Sequence, residues 1–224
     1  ILGQPSLDLG THDFRRIGYV AEDQDIPLWM TVDQLVNFCS GLYPAWDREL
    51  EAKLRALFEL PGDRKIKHLS RGMRMKAILL STLSYRPQLL VLDEPFSGLD
   101  PLVRDELISA LLELPRDDRP ATIVLSTHDL EDVQRLIDHV AFIDRGRLLL
   151  SESLDSLLDR HRFIEVSSEE ALVTIGKPAE QWHGLEQPTP RILRGIADHW
   201  SGPRERDLIS SAFAPARVEI RPLT

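Results

Sequence analysis

The sequence predicts an α/β fold built around a parallel sheet. Three observations carry this: short β-branched apolar runs alternate with longer stretches of helical period. The helical stretches open on capping residues. Polar and acidic residues cluster just beyond the C-terminal ends of the apolar runs, the edge where open parallel sheets bind ligands.

The runs Arg16 to Val20, Leu89 to Asp93, Thr122 to Ser126, His139 to Ile143 and Arg147 to Leu150 read as strands. Between the first two lie helical segments from Thr31 to Leu42 and from Asp47 to Leu60. The second places Leu50, Leu54, Leu57 and Phe58 on one face. Ser70 is positioned to cap a helix that runs to about Tyr85 and is stopped by Pro87. Asp100 and Pro101 supply a cap and a first-turn proline for a helix from Leu102 to Leu114. From about Ser167 the texture changes, with Pro178, Pro188, Pro190, Pro203, Pro215 and Pro222 breaking a weak periodicity. The expected organisation is a main domain at 1–166, with a helical insertion at about 27–86, and a small accessory or regulatory region at 167–224.

The 224 residues suffice for one substantial core and a small second unit. With 42% hydrophobic and 28% charged residues, the composition is that of an ordinary globular chain. There are 36 acidic against 27 basic residues and no basic run, which argues against nucleic acid as the main partner. Cys39 stands alone, so no intramolecular disulfide is possible, and a cytoplasmic setting is expected. The apolar runs around Leu89 to Leu92 and Val140 to Ile143 fall far short of the roughly 18 residues of a membrane helix. The chain opens on Ile1 without a basic or apolar leader and reads as cut from something longer.

The strongest chemical element is Leu89-Leu90-Val91-Leu92-Asp93-Glu94-Pro95, a buried strand that delivers two carboxylates at its end. Asp93 is placed to hold Mg²⁺ through water, since that ion takes oxygen ligands and keeps several waters. Glu94 can orient or deprotonate an attacking water. Alone, the pair could be an acidic turn after a core strand. Ser97-Gly98-Leu99-Asp100 follows directly, and Ser126-Thr127-His128-Asp129 ends another strand, so both loops fall on the same sheet edge. A neutral imidazole there can bond a terminal phosphate or the attacking water, which makes His128 a candidate sensor; the plainer reading is a helix-entry loop capped by Thr127 or Asp129. Leu69-Ser70-Arg71-Gly72-Met73 places a hydroxyl and free N–H groups at a helix N-terminus suited to phosphate, or more simply a serine cap.

In this order the elements from about Gly18 to Arg160 resemble the ATP-binding subunits of ABC transporters, and specifically the bacterial exporter type found in antibiotic-resistance and sodium-efflux systems. The resemblance implies a P-loop NTPase-like core, ATP and Mg²⁺ as cofactors, and ATP hydrolysis that energises a separate membrane permease, with export as the direction. It implies a homodimer or heterodimer of ATPase subunits, held to the inner face of the membrane by the permease. It assigns Asp93 to magnesium, Glu94 to catalysis, Asp100 to the link between subunits and His128 to the switch. Ser70, Arg71, Gly72 and Met73 stand where LSGGQ is commonest, a loop that closes over nucleotide held by a second subunit. Arg71 and Met73 depart from that form, and losing the terminal amide removes one polar contact. Gly18-Tyr19-Val20-Ala21-Glu22 resembles the Q-loop, with Glu22 in place of the usual Gln and Gln24 two residues later; either side chain could approach Mg²⁺. Trp29, Met30, Thr31 and Val32 lie where the family receives its permease, although Trp29 and Trp46 also read as core or staple residues.

One part of the pattern is missing from these residues. A phosphate loop needs G-x-x-x-x-G-K-S/T, so that N–H groups and a Lys cradle the phosphates. The only Gly-Lys pair, Gly176-Lys177, precedes Pro178 and lacks the leading glycine. Ile1-Leu2-Gly3-Gln4-Pro5 resembles the strand and turn that follow the phosphate-loop helix, so the missing part and its adenine-stacking aromatic are expected upstream. Two other readings stand beside this one: an ABC-type ATPase outside transport, which would bring a second cassette or a long heptad insertion, and a non-catalytic binding module. Trp182-His183 and His199-Trp200 offer too few ligands for a metal site.

Overall fold

The computed structural model describes residues 1–114, 120–129, 133–170, 172, 182–197, 200 and 202–222. Gly176, Lys177, Pro178 and His199 lie outside them. The chain divides into two compact units, Ile1–Leu136 and Ile137–Thr224.

In the first unit, β1 (Ile17–Ala21), β2 (Leu89–Asp93) and β3 (Thr122–Ser126) form a parallel sheet in the order β1-β2-β3. Successive residues of a strand face opposite sides. Val20, Leu90 and Leu92 are buried on one side, whereas Tyr19 and Val124 are each 52% exposed on the other. Four helices follow the sequence signals closely. Thr31 and Gln34 form a reciprocal capping box at the start of α2 (Val32–Leu42). Asp47 caps α3 (Arg48–Phe58), Ser70 caps α4 (Arg71–Leu83), and Asp100 with Pro101 opens α5 (Pro101–Leu111). A four-residue α1 (Thr11–Phe14) leads into β1. α3 stops at Phe58 rather than Leu60 because Glu59 turns into the left-handed region at φ 49°.

α4 organises this unit. It packs on β1 and against α2, α3 and α5, and every residue from Met75 to Leu83 is buried. A helix that is buried all round must satisfy its own polar groups. Ser81 donates to the Ala77 and Ile78 carbonyls, Ser84 donates to the Leu80 carbonyl at 2.6 Å, and Lys76 pairs with Glu106. Arg86, in the turn after α4, is ion-paired to Asp47 at 2.6 Å with its side chain 5% exposed, tying the helical insertion to the sheet. Ile1 to Gln4 forms a turn closed by a 2.9 Å bond from the Gln4 N–H to the Ile1 carbonyl; the strand expected there is not formed.

The second unit differs from the sequence expectation in two ways. β4 (His139–Asp144) and β5 (Arg147–Ser153) pair antiparallel as a hairpin apart from the parallel sheet. Only Arg145 and Gly146 join them, at φ 46° and 73°, and so short a turn reverses the chain and leaves no room for a crossover. Second, the proline-rich tail is a built domain. After α6 (Leu154–Arg160), β6 (Arg162–Ser167), β7 (His183–Thr189), β8 (Ile192–Ala197) and β9 (Arg217–Pro222) form an antiparallel sheet in the order β7-β8-β6-β9. α7 (Pro203–Ala212) contributes Ile209 to a core with Ile164, Val166, Trp182, Leu193 and Phe213. A division at 166/167 falls inside β6, a central strand of this sheet, so the compact unit begins earlier than the change in texture. Pro188 and Pro222 sit in β7 and β9, the edge strands, where a missing N–H is tolerated.

Candidate nucleotide-contacting site

The parallel register brings three strand ends level, with Ala21, Asp93 and Ser126 side by side. The Ser126 hydroxyl donates to Asp93 Oδ1 at 2.6 Å and also accepts the Glu94 N–H at 3.1 Å. The same N–H lies 3.2 Å from the Ser126 carbonyl. Ser126 therefore fixes both carboxylate-bearing residues, a role the sequence reading of Ser126-Thr127-His128-Asp129 does not give it, since that reading falls on His128 and on Thr127 or Asp129 as caps. Its signal was positional: the last residue of a strand in register with Asp93.

Glu94 takes φ 48°, the left-handed region that a side chain enters at a cost of about 1–3 kcal/mol. The turn swings its carboxylate toward the end of β3, where both oxygens lie 3.1 Å from His128 Nδ1. Hydrogen bonding to Glu94, reinforced by its charge, raises the His128 pKa above its ordinary 6.5. Asp93 and Glu94, from one motif, and His128, from another, thus stand in one bonded set with Ser126.

The other predicted residues occupy neighbouring loops. Glu22 follows β1, and its N–H donates to the Asp93 carbonyl at 3.2 Å. Its carboxylate is ion-paired with Arg71. The Gln24 side chain accepts the Ala21 N–H at 3.4 Å and so closes its own turn. Ser70 accepts the Met73 N–H at 3.2 Å, and Asp100 accepts the Val103 N–H at 3.1 Å, so both serve as helix caps. Gly72 lies close to α5: a Cβ there would stand 3.1 Å from Val103 Cγ1. Glu22, Asp23, Asp25 and Arg71 help line a cleft of about 510 Å³ floored by Met75 and Ile78. Trp29 is 67% exposed, which removes the core reading for it. Trp46 donates to Glu51 at 2.7 Å within the helical insertion.

The donor chemistry at the β2 end consists of oxygens, which suits a hard divalent cation. No cluster of three or more His, Cys, Asp or Glu suited to a metal occurs among the described residues. No helix among the described residues is long and apolar enough to cross a membrane.

A family model described as "AAA domain, putative AbiEii toxin, Type IV TA system" matches residues 52–131. An uncharacterized ABC transporter ATP-binding protein of Synechocystis sp. is 29% identical over 86% of this chain and 58% of its own length. The Nod factor export ATP-binding protein I of Rhizobium meliloti is 31% identical over 71% of this chain and 48% of its own. Both import and export proteins occur among the relatives. The solved structure of an ATP-binding subunit of an ABC transporter superposes with a TM-score of 0.61 at 26% identity, covering 71% of this chain and 68% of that one. The chain spans less than two thirds of the length of these curated relatives. In sequence and in fold, the chain is a homologue of the ATP-binding subunits of ABC transporters.

Proposed function

We propose that these residues form the catalytic and signature-loop part of an ATP-hydrolysing motor, which drives a separate membrane permease, with export as the direction its motifs favour. The observation that carries this is the bonded set Asp93, Ser126, Glu94 and His128 at the C-terminal edge of a parallel sheet. Asp93 would hold Mg²⁺, with one oxygen oriented by Ser126; bound with ATP, that ion supplies charge neutralisation on the phosphates. Glu94 orients or deprotonates water, and His128 couples the state of Glu94 to the phosphate that the pair faces. Ser70, Arg71, Gly72 and Met73 present a helix N-terminus to nucleotide held by a second ATPase subunit, with Asp100 near that junction. Glu22 or Gln24 lies beside the metal position. The assembly would be a dimer on the cytoplasmic face, anchored through its permease.

The 224 residues contain no G-x-x-x-x-G-K-S/T, and positioning of the phosphates does most of the work in phosphoryl transfer. The chain by itself is therefore expected to bind MgATP weakly and to release no phosphate above buffer. Normal turnover by the chain alone would overturn this reading. The missing loop also favours a second reading, a half-site that offers its signature loop to an intact subunit. Mixing the chain with full gene product tests it: raised turnover that is lost in Ser70→Ala supports the half-site, and no change rejects it.

A further inference from the structure

Arg71 is the first residue of α4, yet its side chain reaches two other loops. The guanidinium pairs with Glu22, 49 residues away in sequence. It also lies over Gly98, in the loop after Glu94: a Cβ built on Gly98 would stand 2.9 Å from Nη1 and 3.2 Å from Cζ. Gly98 has φ 64°, so the chain both turns left-handed and leaves room for the guanidinium there. The anchor at the other end is firm, because the Glu22 N–H is bonded to the Asp93 carbonyl of β2. One side chain thus joins the start of α4, the exit of β1 and the loop that follows the carboxylates. The two paired positions are also the two where the motifs carry an ionic residue in place of Gly and Gln.

We propose that Arg71 is a positioning residue that, through Glu22 and Gly98, locks the Ser70–Met73 loop to the ends of β1 and β2. This rests on the reading of that loop as a nucleotide contact. On this account Glu22 serves Arg71 rather than a metal ion. A planar guanidinium suits the task because it can hold a carboxylate along one edge while its face covers a glycine.

The pair is partly exposed, at 48% for Arg71 and 33% for Glu22, so its effect on loop opening is modest, about two- to fivefold. Amide hydrogen exchange is measured in the unaltered chain and in Glu22→Gln, Arg71→Gln, Arg71→Lys and the charge-swapped Glu22→Arg/Arg71→Glu. Each neutral variant is expected to speed exchange about two- to fivefold in both segments, 22–28 and 70–76, while the swap and Arg71→Lys, which keep a charge pair but not the guanidinium over Gly98, return it only part of the way. Raising salt to 1 M speeds exchange in the unaltered chain but not in Arg71→Gln, since the charges are then screened. Changes confined to the substituted segment, or a swap no better than the singles, overturn the proposal. ATP-dependent self-association of the full gene product, run alongside with Ser70→Ala, reports separately on the nucleotide reading. An unaffected association would reject that reading while leaving the exchange result intact.

Discussion

Gly18 stands in β1 where the strand crosses under α4, and replacing it with alanine pits two effects against each other. A new Cβ would sit 2.8 Å from Leu90 Cδ1, 2.8 Å from Thr82 Cγ2 and 3.1 Å from Pro87 Cγ. Carbon atoms settle at about 3.5–4.0 Å. The neighbours belong to three different segments, and Leu90 and Thr82 are 0% and 7% exposed, so neither can swing into solvent. Overpacking of this kind costs about 1–3 kcal/mol. Against it, removing a glycine from a strand gains about 0.5–1 kcal/mol from the unfolded chain. At the middle of both ranges the clash prevails, for a net loss of about 1 kcal/mol. Urea unfolding followed by far-UV circular dichroism should show the midpoint falling by roughly 0.3–1 M at an unchanged slope. Gly41→Ala supplies the control, because its Cβ meets nothing within 4 Å in α2, and about 0.5–1 kcal/mol of stabilisation is expected. A Gly18→Ala protein as stable as the original would refute the packing argument. It would also weaken the claim that β1 fixes the position of Glu22 beside Asp93.

Three further outcomes are expected. Ser126→Ala removes the hydroxyl shared by Asp93 and the Glu94 N–H, so the full gene product should lose Mg²⁺-dependent activity about tenfold, which corresponds to about 1.4 kcal/mol. Loss of less than twofold, measured across a Mg²⁺ titration, would deny Ser126 its positioning role. Proton NMR should show the His128 ring titrating above 6.5, with Glu94→Gln bringing it back toward that value. The sign is that of a raised pKa: the contact helps fully below 6.5 and fades as pH rises through the higher folded value. For Asp47, burial raises the pKa, but bonds from the Leu50 N–H and from Arg86 outweigh it and lower the value below 3.8. Its contribution is therefore present above pH 3.8 and lost as pH falls through the lowered value. Asp47→Ala should cost about 3 kcal/mol by stranding Arg86, and equilibrium unfolding between pH 2 and 7 should show the acid-dependent part flattened.

Legibility in the sequence followed the range of the interactions. Caps are local, and Thr31, Asp47, Ser70 and Asp100 all start the helices their residue types announce. Strand ends are nearly as local, so Asp93, Glu94 and His128 are legible from their positions just at or beyond the ends of two apolar runs. The same logic failed where partners are distant. Nothing adjacent to Ser126 marks it as the bridge between Asp93 and Glu94, because the pairing depends on strand register. The Arg71 to Glu22 pair likewise exists only because α4 packs against β1. Ser70 and Asp100 read equally well as nucleotide contacts or as caps, and a structure in which they cap leaves the first role to experiment. The sheet of the tail is not legible in the sequence, because its prolines interrupt the alternating pattern of the strands. In edge strands they are compatible with a sheet, and Trp182 and Phe213 supply the core that the pattern concealed.

The central claim is that Glu94, set by its left-handed turn and held against His128, activates water for ATP hydrolysis. The most direct measurement is MgATP turnover by the full gene product that carries these 224 residues, compared with its Glu94→Gln variant, with nucleotide binding followed in parallel. The account predicts a fall in turnover of about 10²-fold or more with binding retained. Turnover unchanged in Glu94→Gln would contradict it.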